Sequence, residues 1–410
     1  MRALWIANTP SNYGSFKDGK NWGAGWVSSL EKEVSPKVTL AVAFIVGEPL
    51  SGPVVKDSVT YYPVYDPYDS GRSSRVRKVF TGNSSQRAWC LSSLLSVVRD
   101  FQPDVIEVFG SERPFGLLAS FTEVPVVLHI QGILSECLRH FLPSGMGLFR
   151  YSASGGSLSG RLGKFYHWLN MRRRARDEAK VLKTVRYYFG RTDWDRNIVL
   201  AANPSAEYFH LDEILRAPFY EKAGSWIHTD SAIIVTTISE PPYKGMDVVL
   251  KTASILKRKY GRKFEWKVFG NVNVPFFEDF TGVCAEECGV VPMGVAPAEE
   301  IASELSRAAV YVHPSYIENS PNSMCEAQMV GVPVVVSAVG GVLSMIEDGV
   351  DGILAAPGNA EEFASRINDL MSGRYDAASL SAAEVSKALA RHDKSRIVND
   401  LLDYYAYMTR

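Results

Sequence analysis

Short runs of β-branched and aliphatic residues alternate with amphipathic stretches through both halves of this 410-residue chain, and few folds accommodate that alternation. The runs are strand-length, and the stretches between them are long enough for crossover helices, so βαβ units around parallel sheets are expected. In the first half the expected strands are Ala3–Ala7, Val38–Phe44, Val105–Phe109, Val124–His129 and Arg186–Phe189, with helices over Trp22–Lys32, Gln86–Asp100 and Gly163–Leu182. The second half repeats the plan with Ala232–Thr237, Phe264–Phe269, Val310–His313, Val334–Ser337 and Gly352–Leu354. Phe363, Ile367, Leu370 and Met371 then form an apolar helical stripe, and a final one holds Ile397, Leu401, Leu402, Tyr405 and Met408.

The fold class expected is α/β, with two Rossmann-like doubly wound lobes and a cleft between them. Residues 1–205 form the first domain, and 206–230 a linker of mixed Pro, Gly, charge and aromatics. Residues 231–385 form the second domain. The helix within 386–410 needs a partner surface and is expected to cross back onto the first domain.

Several function classes are set aside by pattern. No stretch reaches the ~18–20 apolar residues of a membrane span, and the opening Met1–Gly14 reads as a strand and loop rather than a signal peptide. Cys90, Cys137, Cys284, Cys288 and Cys325 lack zinc spacing, and Cys284 and Cys288 read as two buried thiols in a reduced cytoplasm. Neither half has the Gly-x-Gly-x-x-Gly of dinucleotide enzymes or a phosphate-binding Gly-x4-Gly-Lys-Ser/Thr. No nucleic-acid partner is expected. The net charge of −1 hides an asymmetry, +9 over residues 1–205 and −10 over the remainder, so the halves face different partners.

The strongest local signal is residues 313–337, HPSYIENSPNSMCEAQMVGVPVVVS. A strand ends at Pro314, a polar loop follows, and Ser320 as N-cap with Pro321 at N1 starts a helix. The backbone N–H groups of Asn322, Ser323 and Met324 are then expected unpaired at the positive helix end, a site for diphosphate oxygens. Glu318 before the helix and Glu326 inside it can each accept from sugar hydroxyls.

Glu318-(seven residues)-Glu326, Gly331-Val-Pro333 and Gly340-Gly341 together resemble the donor site of the retaining family-4 glycosyltransferases of the GT-B fold, the glycosyl transferases group 1. Tyr243-Lys244-Gly245 resembles that family's Lys-Gly helix start, Phe269-Gly270 a strand end, and Met293-Gly294 its base-binding loop. Trp22-Gly23-Ala24-Gly25 resembles its Gly-rich N-terminal loop. The resemblance implies that Glu318 binds donor-sugar hydroxyls, Glu326 the ribose, and Lys244 the departing diphosphate. Gly23, Gly25, Gly270, Met293 and Gly294 would border the donor. Ser239 stands where many members carry Arg, so a lone Lys with the helix N-terminus, or a basic residue from the first lobe, must serve the diphosphate. His129, at a strand's C-terminal end where ligands bind in such lobes, is a candidate catalytic group; a buried core histidine is the other reading.

The implied activity is sugar transfer with retention from a nucleotide-diphosphate co-substrate to a saccharide or lipid-linked acceptor in bacterial surface polysaccharide or glycolipid assembly. No metal or other cofactor is expected. Asp193-Trp194-Asp195 could be a metal motif, but Thr192 before it reads as a helix cap with Asp195 at N3. An epimerase or hydrolase of the same fold, or a non-catalytic sugar-nucleotide-binding subunit, are the alternatives. Finally, Phe165, Trp168 and Leu169 beside Arg172, Arg173, Arg174 and Arg176, with Arg72, Arg75, Arg77 and Lys78, read either as a core helix with a solvated basic end or as a peripheral contact with anionic membrane at the cytoplasmic inner face.

Overall fold

A computed structural model describes residues 1–16, 25–68, 84–228 and 232–410. The chain divides into two units. The first comprises Met1–Leu138, Tyr166–Ile214 and Asp393–Arg410; the second comprises Arg139–Phe165 and Leu215–His392.

The first unit holds an eight-stranded sheet: β1 (Arg2–Ala7), β2 (Thr39–Val46), β3 (Val54–Lys56), β4 (Val59–Tyr65), β5 (Val105–Phe109), β6 (Val126–His129), β7 (Tyr187–Gly190) and β8 (Glu207–His210). Its order is β3-β4-β2-β1-β5-β6-β7-β8, parallel except for the β3–β4 pair. Near-continuous apolar runs such as Ala3–Ala7 are buried on both faces, as a parallel sheet between helices requires. The second unit holds β9 (Ile233–Thr237), β10 (Glu265–Phe269), β11 (Val290–Gly294), β12 (Val310–His313), β13 (Val334–Ser337) and β14 (Ile353–Ala355), all parallel, in order β11-β10-β9-β12-β13-β14. Strand order reverses between β9 and β12, which defines a switch point where the loops after these two strands diverge.

The helix Lys394–Met408 counts with the first unit. There the Tyr405 hydroxyl accepts from Trp5 Nε1 at 2.9 Å and donates to Glu107, while Lys394 pairs with Glu33 at 3.0 Å and Arg396 with Asp212 at 2.7 Å.

Five sequence expectations need correction. The first domain is not continuous over 1–205, because Arg139–Phe165 counts with the second unit; periodicity cannot tell which core an amphipathic segment joins. The 206–230 linker contains β8 and the helix Ala217–Glu221, so the division falls at Ile214/Leu215. Its strand was illegible because Glu207–His210 is a short edge strand without polar alternation. Met293 and Gly294 end the edge strand β11 rather than lying in a free loop. The tail holds two helices, Ala377–Arg391 and Lys394–Met408, as the two apolar patterns after Gly373 lead one to expect, but the division falls at Asp393 rather than residue 386. Cys288 is buried as expected, but Cys284 is exposed.

Candidate active site

Lys244 and Glu318 meet at the switch point of the second sheet. After β9 the chain runs through Pro241 and Pro242, whose fixed φ supports the short 3-10 turn Pro242–Lys244. Gly245 follows at φ +84°, and a side chain there would overlap the carbonyl oxygen of Pro314. Only glycine lets this turn press against the end of β12. The contact is fastened by a 2.8 Å bond from the Tyr316 N–H to the Tyr243 carbonyl and by the Tyr316 hydroxyl donating to Asp247 at 2.8 Å. On the other side Gly340, at φ +48°, leaves no room for a Cβ beside the Glu318 carbonyl, and the Gly341 N–H donates to that carbonyl at 3.1 Å. The Lys-Gly and Gly-Gly pairs thus hold opposite flanks of one loop.

Held this way, Glu318 Oε1 accepts from Lys244 Nζ at 2.6 Å and lies 3.0 Å from His313 Nε2. Burial alone would raise its pKa, but Lys244 and then His313 hold the carboxyl well below the usual carboxylate range. Glu318 is therefore an ionised acceptor at neutral pH. Lys244 has three donors and spends one on Glu318, so two remain for an anion.

The helix Asn322–Val330 starts with Pro321 at the cap position, one residue later than Ser320. The Met324 N–H is bonded to the Pro321 carbonyl at 2.9 Å, so the expected trio of open amides is reduced. Among the described residues the amides of Asn322 and Ser323 meet no backbone carbonyl and keep the anion-facing geometry. One turn further in, Glu326 is not an isolated carboxylate. Arg216 holds it with two bonds of 2.7 Å, and burial, which works against the Arg216 charge, is outweighed by that carboxylate. The bidentate fork engages both carboxylate oxygens of Glu326 and fixes the orientation of the group.

Gly270 donates its N–H to the Gly294 carbonyl at 2.7 Å, which joins the ends of β10 and β11; Met293 and Gly294 are exposed, as is Ser239. Gly25, in the first unit, is the first residue of the helix Gly25–Val34. Gly23 lies outside the described residues, as do Arg72, Arg75, Arg77 and Lys78.

His129 differs from its expected accessible position at the tip of β6. It has no exposed surface, its Nδ1 lies 2.6 Å from Glu107 Oε1, and Trp26, Phe109 and Phe189 enclose the ring. Burial pushes its pKa down, and the neutral ring is hydrogen-bonded through Nδ1 to Glu107 in the Trp5–Tyr405–Glu107–His129 chain. The core reading describes it.

Thr192 and Asp195 form a helix cap. The Thr192 side chain accepts from the Asp195 N–H at 3.2 Å, and Asp195 accepts from the Arg191 N–H at 3.0 Å and the Tyr208 hydroxyl at 2.5 Å. The arginine cluster divides: Arg172 and Arg176 are exposed, whereas Arg173 and Arg174 are half-buried and Arg174 Nε donates to the Glu112 carbonyl at 2.7 Å. Beside it, in the first unit, a polar cavity of about 240 Å³ is lined by Arg87, Arg113, Arg174, Glu112, Asn170 and Asp177.

Sequence reasoning missed Arg216 and His313. The signal for Arg216 was available in Glu326 itself, since a carboxylate inside an otherwise apolar helix demands a cation. His313 ends a strand as His129 does, and its neighbour Glu318 was already singled out.

Each unit is a doubly wound α/β body, and together they define the GT-B class of folds. Sucrose-phosphate synthase of Thermosynechococcus elongatus superposes with a TM-score of 0.73 over 100% of this chain and 99% of that one, at 12% identity. Anabaena Alr3699/HepE, solved in complex with UDP and glucose, gives 0.66 over 99% of both chains at 13% identity. Residues 230–373, which carry the whole second sheet, match the family of the glycosyl transferases group 1. The amylovoran biosynthesis glycosyltransferase AmsK of Erwinia amylovora is 29% identical over 174 residues, 40% of this chain and 42% of AmsK. A D-inositol 3-phosphate glycosyltransferase of Nocardiopsis dassonvillei is 34% identical over 111 residues, 27% of this chain and 26% of that protein. The matched stretches thus span less than half of these relatives.

Proposed function

We propose that the protein transfers a sugar from a nucleotide-diphosphate donor to an acceptor hydroxyl, with retention at the anomeric carbon. The observation that carries this reading is the Lys244–Glu318 pair at the switch point, beside the open amides of Asn322 and Ser323. Lys244 and these amides receive the diphosphate, Glu318 accepts from hydroxyls of the sugar, and Glu326, oriented by Arg216, faces the ribose. In the transfer the bond from the anomeric carbon to the phosphate oxygen breaks, and one to the acceptor oxygen forms on the same face. The acceptor proton passes to the departing diphosphate, whose growing charge Lys244 stabilises. No metal takes part.

The acceptor is a saccharide, free or lipid-linked, in surface polysaccharide or glycolipid assembly at the cytoplasmic face of the membrane. AmsK, named for amylovoran biosynthesis, and the polar cavity lined by Arg87, Glu112 and Asp177, which suits a polyhydroxy group, support this. Calorimetric titration with a panel of nucleoside-diphosphate sugars tests the donor half. Lys244→Gln and Glu326→Gln should each weaken binding by about 1.5–3 kcal/mol, the worth of a charged hydrogen bond. Unchanged affinity in both variants removes the donor site. Donor turnover without any acceptor would favour an epimerase or hydrolase.

A further inference from the structure

The segment Arg139–Phe165, which counts with the second unit, is held to that unit's sheet by contacts at two of its loops. Arg150 Nη2 donates to the Asp279 carbonyl at 2.9 Å, and its guanidinium covers the Phe280 ring at 5.0 Å. Tyr151 packs edge-on against Phe276, with ring centroids 6.3 Å apart. The Ser144 backbone bonds to the Tyr316 hydroxyl. Phe276, Asp279 and Phe280 belong to the helix Val274–Thr281 after β10, and Tyr316 to the loop after β12. Both follow the C-terminal edge of a parallel sheet, where such sheets bind ligands and where Lys244 and Glu318 meet.

One cation of this segment turns inward. Arg139, Arg150 and Arg161 are exposed, whereas Lys164 is half-buried. Its Nζ lies 4.5 Å from the Phe276 ring centre and 5.1 Å from that of Tyr151, and it donates to Ser154 Oγ at 2.5 Å. Among the described residues no carboxylate forms an ion pair with it. The nearest charge acting on it is the exposed Glu240, three residues past β9, which acts on the Tyr151 hydroxyl as well. Burial lowers the Lys164 pKa from its ordinary value, and Glu240 opposes that. One of the three ammonium donors is spent on Ser154, and Glu240 stands in the same short connection as Lys244.

A diphosphate at this edge needs such a group. Lys244 is paired with Glu318 at 2.6 Å, so the two together bring almost no net charge, and Ser239 brings none. The amides of Asn322 and Ser323 supply only partial charges, whereas a nucleoside diphosphate carries more than one full negative charge. We propose that Lys164 is a second cation for the diphosphate of the donor, acting together with Lys244. The inference rests on the donor reading above and adds a residue to it. The two rings and Ser154 fix the ammonium in place before the anion arrives, so less side-chain freedom is lost on binding. Ring contacts, unlike a carboxylate, leave the full charge of the ammonium available to the anion.

The test is calorimetric titration of the full chain with UDP and with GDP, carried on with whichever binds more tightly. Lys164→Gln should weaken that nucleotide by about tenfold or more, as loss of a charged hydrogen bond does, and should leave the affinity for the matching nucleoside within about twofold. Lys164→Arg keeps the charge and should restore most of the affinity. Arg161→Gln removes the same charge from an exposed position on the same helix and should change nothing. Should Lys164→Gln fold poorly, the wild-type chain supplies a second reading. Trace acetylation with acetic anhydride, mapped by mass spectrometry, should find Lys164 protected by the nucleotide and the exposed Lys257 not. Unchanged nucleotide affinity in folded Lys164→Gln, an equal loss for the nucleoside, or Lys164 acetylated equally with and without nucleotide each overturns the proposal. If Lys244→Gln weakens the nucleotide and Lys164→Gln does not, the second cation falls and the donor site stands; a wild-type chain that binds neither nucleotide removes both.

Discussion

Replacing Glu318 with glutamine should lower stability, and the loss should depend on pH in one direction. The carboxylate is 10% exposed and its partner Lys244 21%, so the pair lies between two regimes. Exposed ion pairs contribute ~0.2–1 kcal/mol, and breaking a buried pair costs about 3–5 kcal/mol. Glutamine keeps the shape and one acceptor oxygen for His313 and Lys244 but removes the charge, which points to a loss of about 2 kcal/mol at pH 7. For a unit of this size, ~2–4 °C per kcal/mol converts that to roughly 4–8 °C in melting temperature. The folded carboxyl is held below its ordinary value, first against burial and then by Lys244 and His313, so its contribution is full above the unfolded pKa of about 4.3 and is lost as pH falls further. Differential scanning calorimetry of wild type and Glu318→Gln from pH 7 to 3.5 should show a gap that narrows on the acid side. A gap of the same size at every pH, or none at pH 7, would refute the assignment of the low pKa to the Lys244 pair.

Three further outcomes follow from the geometry. Gly245→Ala should cost more than ~1 kcal/mol and weaken donor binding together with stability, because a Cβ at φ +84° overlaps the Pro314 carbonyl; a stable variant with unchanged nucleotide affinity, measured by melting and calorimetry, would contradict it. Glu384 is buried, accepts from the Val334 N–H at 3.0 Å and has its pKa pushed well above the usual range by burial, so its contribution is fully present below the unfolded pKa and falls as pH rises. Glu384→Gln should therefore raise the melting temperature at pH 8 relative to wild type, and a lower one there would count against the buried charge. Chelation with EDTA should leave sugar transfer intact; activity lost to EDTA and restored by manganese would overturn the metal-free mechanism.

The second sheet was legible because its punctuation is local. Lys244-Gly245 and Gly340-Gly341 are visible as letters, and the geometry supplies what the letters could not: each glycine is required by the carbonyl it faces, Pro314 in one case and Glu318 in the other. The cap at Thr192–Asp195 was readable for the same reason, since all its parts lie within four positions. Pairings across the chain were not readable. Arg216 meets Glu326 from 110 residues away, and Tyr405 reaches Glu107 from 298 residues away. Nothing in periodicity ties such positions together. Four strands were missed: β3 and β8 because three or four residues carry too little alternation to register, and β4 and β11 because Pro63 and Pro292 interrupt their runs.

His129 shows why residue type and strand position together are a weaker warrant than they look. Both His129 and His313 end a parallel strand, and both lie beside a glutamate at hydrogen-bond distance. Their surroundings separate them. Glu107 is itself claimed by Tyr405 inside an aromatic cage, so the His129 chain closes on the core and offers nothing to a substrate. Glu318 is shared with a lysine that retains donors, on a loop gripped by glycines at both flanks, so the His313 chain ends at a charged pair with capacity left over. The decisive variable is where the second carboxylate oxygen goes. In the first unit it is consumed by a buried hydroxyl. In the second, Glu318 Oε1 takes both Lys244 and His313 and Oε2 enters neither bond, and this is why the proposed chemistry is assigned to Glu318 and Lys244 while His129 is left to the core.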